Sequence, residues 1–222
     1  MLDRSIRRLV DPLLEPLAQW VDARGVSANT VTIAGFVVGM GSCWAIAAGC
    51  YGVGLVLLLG NRLADGVDGA VAWRRGATDL GGFLDIVLDI LFYGGVPLSF
   101  AIADSGRLLA ASVLNYSFMA TSGSFLAFAV ISAKRGITSG WEGQKAFYYS
   151  VGLMEGTETI LIFVLFCLFP NQFNRLAWTF AGLCWLTALI RIATAAVLFT
   201  QPAAASSPTS VTTPGRDDRG AR

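Results

Sequence analysis

Long apolar runs, broken at short intervals by polar turns, occupy the chain from residue 28 to residue 199. Six runs are long enough to cross roughly 30 Å of hydrocarbon at about 1.5 Å per residue. We predict transmembrane helices at 28–49, 52–73, 80–103, 108–133, 146–169 and 175–199. Ser27 is placed to cap the first helix, and Pro170 marks the end of the fifth. The pattern predicts an all-α polytopic membrane bundle.

The two ends of the chain differ from this apolar centre. Residues 1–25 place apolar side chains at helical spacing opposite charged ones, which predicts an interfacial amphipathic helix lying on the membrane. Residues 201–222 are polar and rich in Pro, Ser and Thr, which predicts a disordered tail. The expected organisation is therefore the helix at 1–25, a six-helix membrane domain at 26–200 and the tail.

Composition agrees with the membrane assignment and narrows the chemistry. Hydrophobic residues make up 55% of the chain and charged residues 14%, against about 25% charged in soluble domains. The net charge of +1 gives no reason to expect a nucleic-acid partner. The chain has no histidine, so acid–base and metal chemistry would fall to carboxylates.

Basic residues predict the orientation. Nearly all those in loops of the six-helix layout fall on one side, and only Arg107 and Arg175 fall on the other. The positive-inside rule then places both termini in the cytoplasm. We expect a multi-pass protein of the inner, cytoplasmic membrane.

Four aspartates form the most informative pattern. Asp65 and Asp68 are three residues apart on the second helix, and Asp85 and Asp89 are four apart on the third, so each pair shares a helix face. A turn of about six residues makes these helices antiparallel and brings the pairs to similar depth. Four converging carboxylates repel one another unless cations separate them, and oxygen ligands suit Mg²⁺ or Mn²⁺. Because both pairs lie near the loop ends, the expected site faces the cytoplasm.

Each feature of this segment also has a plainer interpretation. The aspartates could form a structural ion-pair cluster with Arg62, although one cation does not balance four anions. A charge near the bilayer centre costs about 2.5–3.5 kcal/mol on insertion scales, which favours a functional role. Small residues around the aspartates could serve helix packing, or they could leave room for a bulky ligand.

The segment resembles the signature of the CDP-alcohol phosphatidyltransferase family, D-x-x-D-G-x-x-A-R followed, eight residues on, by G-x-x-x-D-x-x-x-D. The matching residues here are Asp65, Asp68, Gly69, Ala72, Gly81, Asp85 and Asp89. The chain departs from the pattern at Trp73, where the family has arginine, and in a spacer one residue shorter. Arg74 is then the residue that would take the arginine's place.

The resemblance implies a reaction. Two divalent ions, held by Asp65, Asp68, Asp85 and Asp89, would activate a CDP-diacylglycerol-like donor, and an alcohol would displace CMP. Asp89 is implied as the catalytic base. The nucleotide is expected beside Gly69, Ala72, Arg74 and Gly81. The expected partners are a CDP-linked lipid, a small polar alcohol, membrane lipid and a second copy of the chain, since homodimers are common in the family.

The sequence suggests a class of acceptor alcohol but does not identify the alcohol. Lys134, Arg135 and Lys145 flank one predicted gap, and Arg191 lies inside the last span. The resemblance implies that basic residues in this region hold the phosphate of an acceptor such as glycerol 3-phosphate. Inositol phosphate and serine are further candidates. Glu155 and Glu158 would either bind a polyol or form structural ion pairs.

Two other functions use similar residues. An intramembrane prenyltransferase also binds a pyrophosphate donor through aspartates, but such enzymes place Asn directly before the first Asp and have more spans. A cation transporter would distribute charges through the membrane depth, whereas these aspartates gather at one end.

Overall fold

The computed structural model describes residues 14–136 and 156–200, and every regular element in these ranges is helical. The predicted all-α fold is thereby confirmed for this part of the chain. The longer helices are α1 (14–23), α2 (Ala28–Ala47), α3 (Tyr51–Arg75), α4 (Asp79–Ala103), α5 (Leu108–Lys134), α6 (Gly156–Leu168) and α7 (Phe173–Thr200). Short 3-10 turns, Ser105–Arg107 and Pro170–Gln172, precede α5 and α7. The predicted tail at 201–222 lies outside the described residues.

Four helices within the described ranges are long and apolar enough to cross a membrane, namely α2, α4, α5 and α7, the last two taken with their 3-10 turns. Helix α3 has 25 residues but carries the charged segment that begins at Arg62. Helix α6 is apolar and has 13 residues, and the expected start of its span, 146–155, lies outside the described residues. Spans at α3 and α6 therefore stay predictions.

Helix ends follow the expected local chemistry at two positions. The Ser27 side chain accepts a hydrogen bond from the Thr30 amide at 3.2 Å, so Ser27 caps α2 as predicted. Helix α6 ends at Leu168, just before Pro170.

The loop between α3 and α4 is shorter than predicted and runs from Gly76 to Thr78, because α3 continues through Arg75 and Thr78 caps α4. Gly76 has φ of 94°, which glycine adopts at little cost.

Helix α2 packs against both α3 and α4 and holds them beside each other. Close approach depends on glycine: a Cβ at Gly35 would lie 2.8 Å from the Ala64 Cβ, and one at Gly39 would lie 2.9 Å from Phe92 Cδ2. Small residues at helix contacts are the usual way to pack helices in a membrane. This contact sets the distance between the two aspartate-bearing helices.

Helix α1 lies against the second half of α3. Its Leu14 and Ala18 are buried with Val67 and Val71, and a Cβ at Gly66 would lie only 2.5 Å from Leu14 Cδ1. Residues 14–23 are thus helical and have a buried face. The interfacial helix over residues 1–25 stays a prediction, and residues 1–13 lie outside the described ranges.

Candidate active site

Three of the four predicted metal ligands meet in one place. Asp65, Asp68 and Asp85 can each offer a carboxylate oxygen such that all three oxygens lie within 4.8 Å of one another. Asp65 and Asp68 share a face of α3, and Asp85 reaches them from the second turn of α4. The short α3–α4 loop and the shared contact with α2 produce this convergence.

Asp89 lines the same cavity but has a different partner. Its Oδ1 accepts a hydrogen bond from Arg62 Nη2 at 2.8 Å, and its Oδ2 lies 3.5 Å from Arg62 Nη1. Arg62 Nη1 also lies 3.7 Å from Asp65 Oδ2. The structure therefore divides the four predicted ligands into a group of three and one aspartate held by arginine.

The group of three has the properties that a hard cation requires. Asp68 is 6% exposed, and its Oδ2 atom is buried with no hydrogen-bond partner among the residues that the structure describes. Such an oxygen is costly unless something pairs with it. Oxygens bound to one Mg²⁺ at about 2.1 Å lie no more than about 4.2 Å apart, so small side-chain rotations would gather these carboxylates around one ion. The residues present fit a divalent cation.

A second layer of polar residues holds Arg62 in place. Asn61 Oδ1 accepts hydrogen bonds from Arg62 Nε at 2.9 Å and Nη2 at 2.6 Å, while Asn61 Nδ2 donates to the Gly35 carbonyl at 2.9 Å. The Tyr93 hydroxyl lies 3.4 Å from Arg62 Nη1. Sequence reasoning missed Asn61 and Tyr93. Tyr93 follows Asp89 by four residues, and this same-face spacing was the available signal.

The small residues of the signature have unequal surroundings. Apart from its own helix backbone and chain neighbours, no heavy atom of the described residues lies within 4 Å of a Cβ built at Gly69, which is exposed and is not among the residues that line the aspartate cavity. Ala72 is half-buried one turn further along α3. A Cβ at Gly81 would instead lie 2.9 Å from Asn29 Oδ1 and 3.0 Å from Thr78 Oγ1. Gly81 is thus closely surrounded and Gly69 is open, and the nucleotide roles of both stay predictions.

The basic residues at the end of α3 contact α1. Arg74 pairs with Glu15 and lies 3.5 Å from Asp22 Oδ2, and Arg75 pairs with Asp22. The Arg75 guanidinium beside it holds the pKa of the Asp22 carboxyl below its usual value. Arg74, predicted to lie beside the nucleotide, is not among the residues that line the aspartate cavity. Trp73, at the family's arginine position, is 91% exposed.

The residues predicted to contact an acceptor are distributed over α5, α6 and α7. Arg191 of α7 is 6% exposed and donates to the Thr121 carbonyl at 2.9 Å and to Ser124 Oγ at 3.1 Å, so it joins α7 to α5. Arg135 donates to carbonyls at the end of α7. Glu158 is half-buried in the first turn of α6. Lys145 and Glu155 lie outside the described residues.

Carboxylates from α3 and α4 thus form a group that could hold a divalent cation. The chain belongs to the CDP-alcohol phosphatidyltransferase family, whose sequence model matches residues 26–199. The protein is therefore a membrane enzyme of phosphatidyl transfer in phospholipid synthesis, and its family uses divalent metal. The resemblance predicted from the signature is confirmed.

Known proteins resemble the chain over different lengths. The Escherichia coli inner membrane protein YnjF is 47% identical over 193 residues, which is 86% of this chain and 94% of that protein. An archaetidylinositol phosphate synthase of Methanothermobacter thermautotrophicus is 38% identical over 90 residues, 40% of this chain and 43% of that one.

Solved structures share the fold. The phosphatidylinositol phosphate synthase of Mycobacterium tuberculosis with CDP-DAG bound has a TM-score of 0.62 at 21% identity, over 86% of this chain and 96% of that one. The same enzyme in complex with manganese and citrate also gives 0.62 at 21% identity, over 85% and 90%.

Proposed function

We propose that the protein transfers a phosphatidyl group from a CDP-diacylglycerol-like donor to an alcohol and releases CMP. The observation that carries this proposal is the convergence of Asp65, Asp68 and Asp85 inside the family signature, where Asp68 Oδ2 has no hydrogen-bond partner among the described residues. Support also comes from the M. tuberculosis synthase of the same fold, which has CDP-DAG bound.

We infer that Asp65, Asp68, Asp85 and Asp89 together hold two ions of Mg²⁺ or Mn²⁺. Bound there, divalent cations would neutralise the donor's pyrophosphate and make CMP a better leaving group. The manganese complex of the M. tuberculosis synthase supports this choice of metal. We expect the cytidine nucleotide beside Gly69, Ala72, Arg74 and Gly81, and the open surroundings of Gly69 support this expectation.

Asp89 is our candidate for the catalytic base. An acceptor hydroxyl would attack the donor's β-phosphorus, the bond from that phosphorus to the CMP oxygen would break, and Asp89 would take the hydroxyl proton. A carboxylate is the natural base in a chain without histidine. Asp89 lines the cavity with the other three aspartates, within reach of the same ligand.

The acceptor that we favour is a small polar alcohol carrying a phosphate, such as inositol phosphate or glycerol 3-phosphate. The names of the mycobacterial and archaeal enzymes specify phosphatidylinositol phosphate and archaetidylinositol phosphate as products, both of which carry an inositol phosphate headgroup. Arg135 and Arg191 are the described cations at the α5–α7 contact that are candidates to bind the phosphate. We further propose that the site and both termini face the cytoplasm, that the protein lies in the inner membrane and that it forms a homodimer.

The test is CMP release by the purified protein from CDP-diacylglycerol, with glycerol 3-phosphate, inositol phosphate, serine and glycerol offered separately. We expect CMP release with a phosphorylated alcohol and none with Asp68→Asn at the same metal concentration. Release of pyrophosphate from a prenyl donor, with no CMP from any CDP-lipid, would support the prenyltransferase alternative. Cation flux in vesicles without either product would support a transporter.

A further inference from the structure

Arg62 is a partly buried cation that lies directly beside the aspartate group. Its side chain is 14% exposed, and its guanidinium carbon lies 5.1 Å from the centre of the Phe92 ring and 5.6 Å from that of Tyr93. Asn61 Oδ1 accepts hydrogen bonds from Arg62 Nε and Nη2, so one edge of the guanidinium is held by Asn61. An arginine held on several sides presents its remaining N–H groups in a fixed direction.

That direction is towards Asp89. The two terminal nitrogens face the two Asp89 oxygens, at 2.8 Å and 3.5 Å, while Asp65 is reached by one nitrogen only, at 3.7 Å. Asp68 and Asp85 have no ion pair with Arg62 in this structure. The positive charge of Arg62 therefore lies closest to Asp89 and further from Asp65.

We propose that Arg62 is a positioning residue that competes with a metal ion for Asp89. The four aspartates would then bind their two divalent cations with different affinities. Asp65, Asp68 and Asp85 form the tight site. The second cation binds weakly because it must displace the Arg62 guanidinium from Asp89. This inference rests on the proposed function, and it adds that occupancy of the second site depends on a residue outside the aspartate signature.

The physical reason is competition between like charges. A guanidinium and a divalent ion cannot both lie against the same carboxylate without strong repulsion, since two unit charges 4 Å apart interact by about 4 kcal/mol at an effective dielectric of 20. Loss of the guanidinium removes that repulsion and frees both Asp89 oxygens. The tight site loses only the weaker contact at Asp65.

The experiment is a titration of the purified, detergent-solubilised protein with Mn²⁺ alone, with free Mn²⁺ followed by electron paramagnetic resonance. Wild type is expected to show one tight and one weaker ion. Arg62→Gln should tighten the weaker ion by about tenfold or more, equal to about 1.4 kcal/mol, and change the tight one far less. Arg62→Lys should give an intermediate change, because an ammonium makes one contact where the guanidinium makes two.

Arg107→Gln is the matched control. Arg107 is also a buried arginine beside two aromatic rings and an aspartate: its Nε lies 3.3 Å from Asp104 Oδ2, and its guanidinium lies 5.6 Å from the Tyr51 ring. Arg107 lies in the turn between α4 and α5. This turn is near the start of α3 and the end of α4, whereas the aspartates are near the end of α3 and the start of α4. Its loss should lower thermal stability and leave both Mn²⁺ constants unchanged.

The outcomes separate this inference from the proposed function. Equal Mn²⁺ constants in wild type, Arg62→Lys and Arg62→Gln would overturn the role of Arg62 while CMP release stood. If Arg62→Gln does not fold, Arg62→Lys alone decides, and constants equal to those of wild type contradict the proposal. A wild-type protein that binds Mn²⁺ yet releases no CMP from any CDP-lipid would refute the proposed function instead.

Discussion

Arg74 of α3 forms an ion pair with Glu15 of α1, and the same guanidinium lies 3.5 Å from Asp22 Oδ2. The pair joins the signature helix to the helix that precedes the membrane domain. It also bears on donor binding, because Trp73 occupies the position where the family has arginine and Arg74 is the arginine next to it. If Arg74 binds the donor's phosphates, it must leave Glu15 to do so.

This relationship gives a prediction about three variants. Arg74→Ala should raise the donor KM more than Arg75→Ala does. Glu15→Gln should lower the donor KM or leave it unchanged, because it removes the carboxylate that competes for Arg74. The thermal stability of all three should change little, since exposed ion pairs contribute about 0–1 kcal/mol. Equal donor KM values for the two arginine variants and wild type would show that neither arginine binds the pyrophosphate.

The open surroundings of Gly69 on α3 give a second prediction. Gly69→Leu should fold normally, because nothing lies within 4 Å of the added Cβ, yet it should raise the donor KM by about tenfold or more by filling the nucleotide's space. Gly52→Leu is the matched control: it lies in the first turn of the same helix and also meets no atom within 4 Å. A donor KM equally affected in both variants would indicate a general effect on α3.

Sequence patterns were informative about the aspartates because helix geometry is local. The spacings of Asp65, Asp68 and Asp85, with a short turn, were enough to predict that they approach one another, and the structure brings them together. Their role as metal ligands stays a prediction. The choice of Asp89 as the arginine's partner was not predictable, since it depends on how Asn61 and Tyr93 pack around Arg62.

The end of α3 and the surroundings of Gly81 could not be predicted from sequence patterns. Arg74 and Arg75 were assigned to a loop because they are charged and follow the apolar run, yet α3 continues through both, and both pair with acidic residues of α1. Asn29 from α2 lies close to Gly81, a contact that the sequence did not indicate, and the predicted nucleotide role of Gly81 stays a prediction. Both differences come from contacts between segments distant in sequence, which spacing within one segment does not reveal.

The pair of glutamates near the start of α6 gives a third prediction. Glu155→Gln and Glu158→Gln should each raise the acceptor KM or change the preferred alcohol, with the donor KM and the melting temperature unchanged, because carboxylates in this position would hydrogen-bond a polyol. The measurement is CMP release against acceptor concentration, with melting followed in detergent. A lower melting temperature with unaltered acceptor selectivity would show that both residues are structural.

Asparagine variants separate the roles of the aspartates. Asp89→Asn keeps the size of the side chain and removes a proton acceptor, so kcat should fall on the order of 10²–10⁴-fold while the donor still binds. Asp65→Asn and Asp68→Asn should instead weaken metal binding, and excess Mg²⁺ should partly restore their activity. Steady-state CMP release at several Mg²⁺ concentrations, with donor binding measured separately, distinguishes the two behaviours. A kcat near that of wild type for Asp89→Asn would remove it as the base.

The central claim is that converging carboxylates hold a divalent ion which the transfer reaction requires. The most direct measurement is the rate of CMP release by wild-type protein in excess EDTA, and again after Mg²⁺ or Mn²⁺ is returned above the chelator. We expect no CMP release in EDTA and recovery with either ion, because Asp65, Asp68 and Asp85 lie within 4.8 Å of one another through their carboxylate oxygens. An undiminished rate in excess EDTA would contradict the claim.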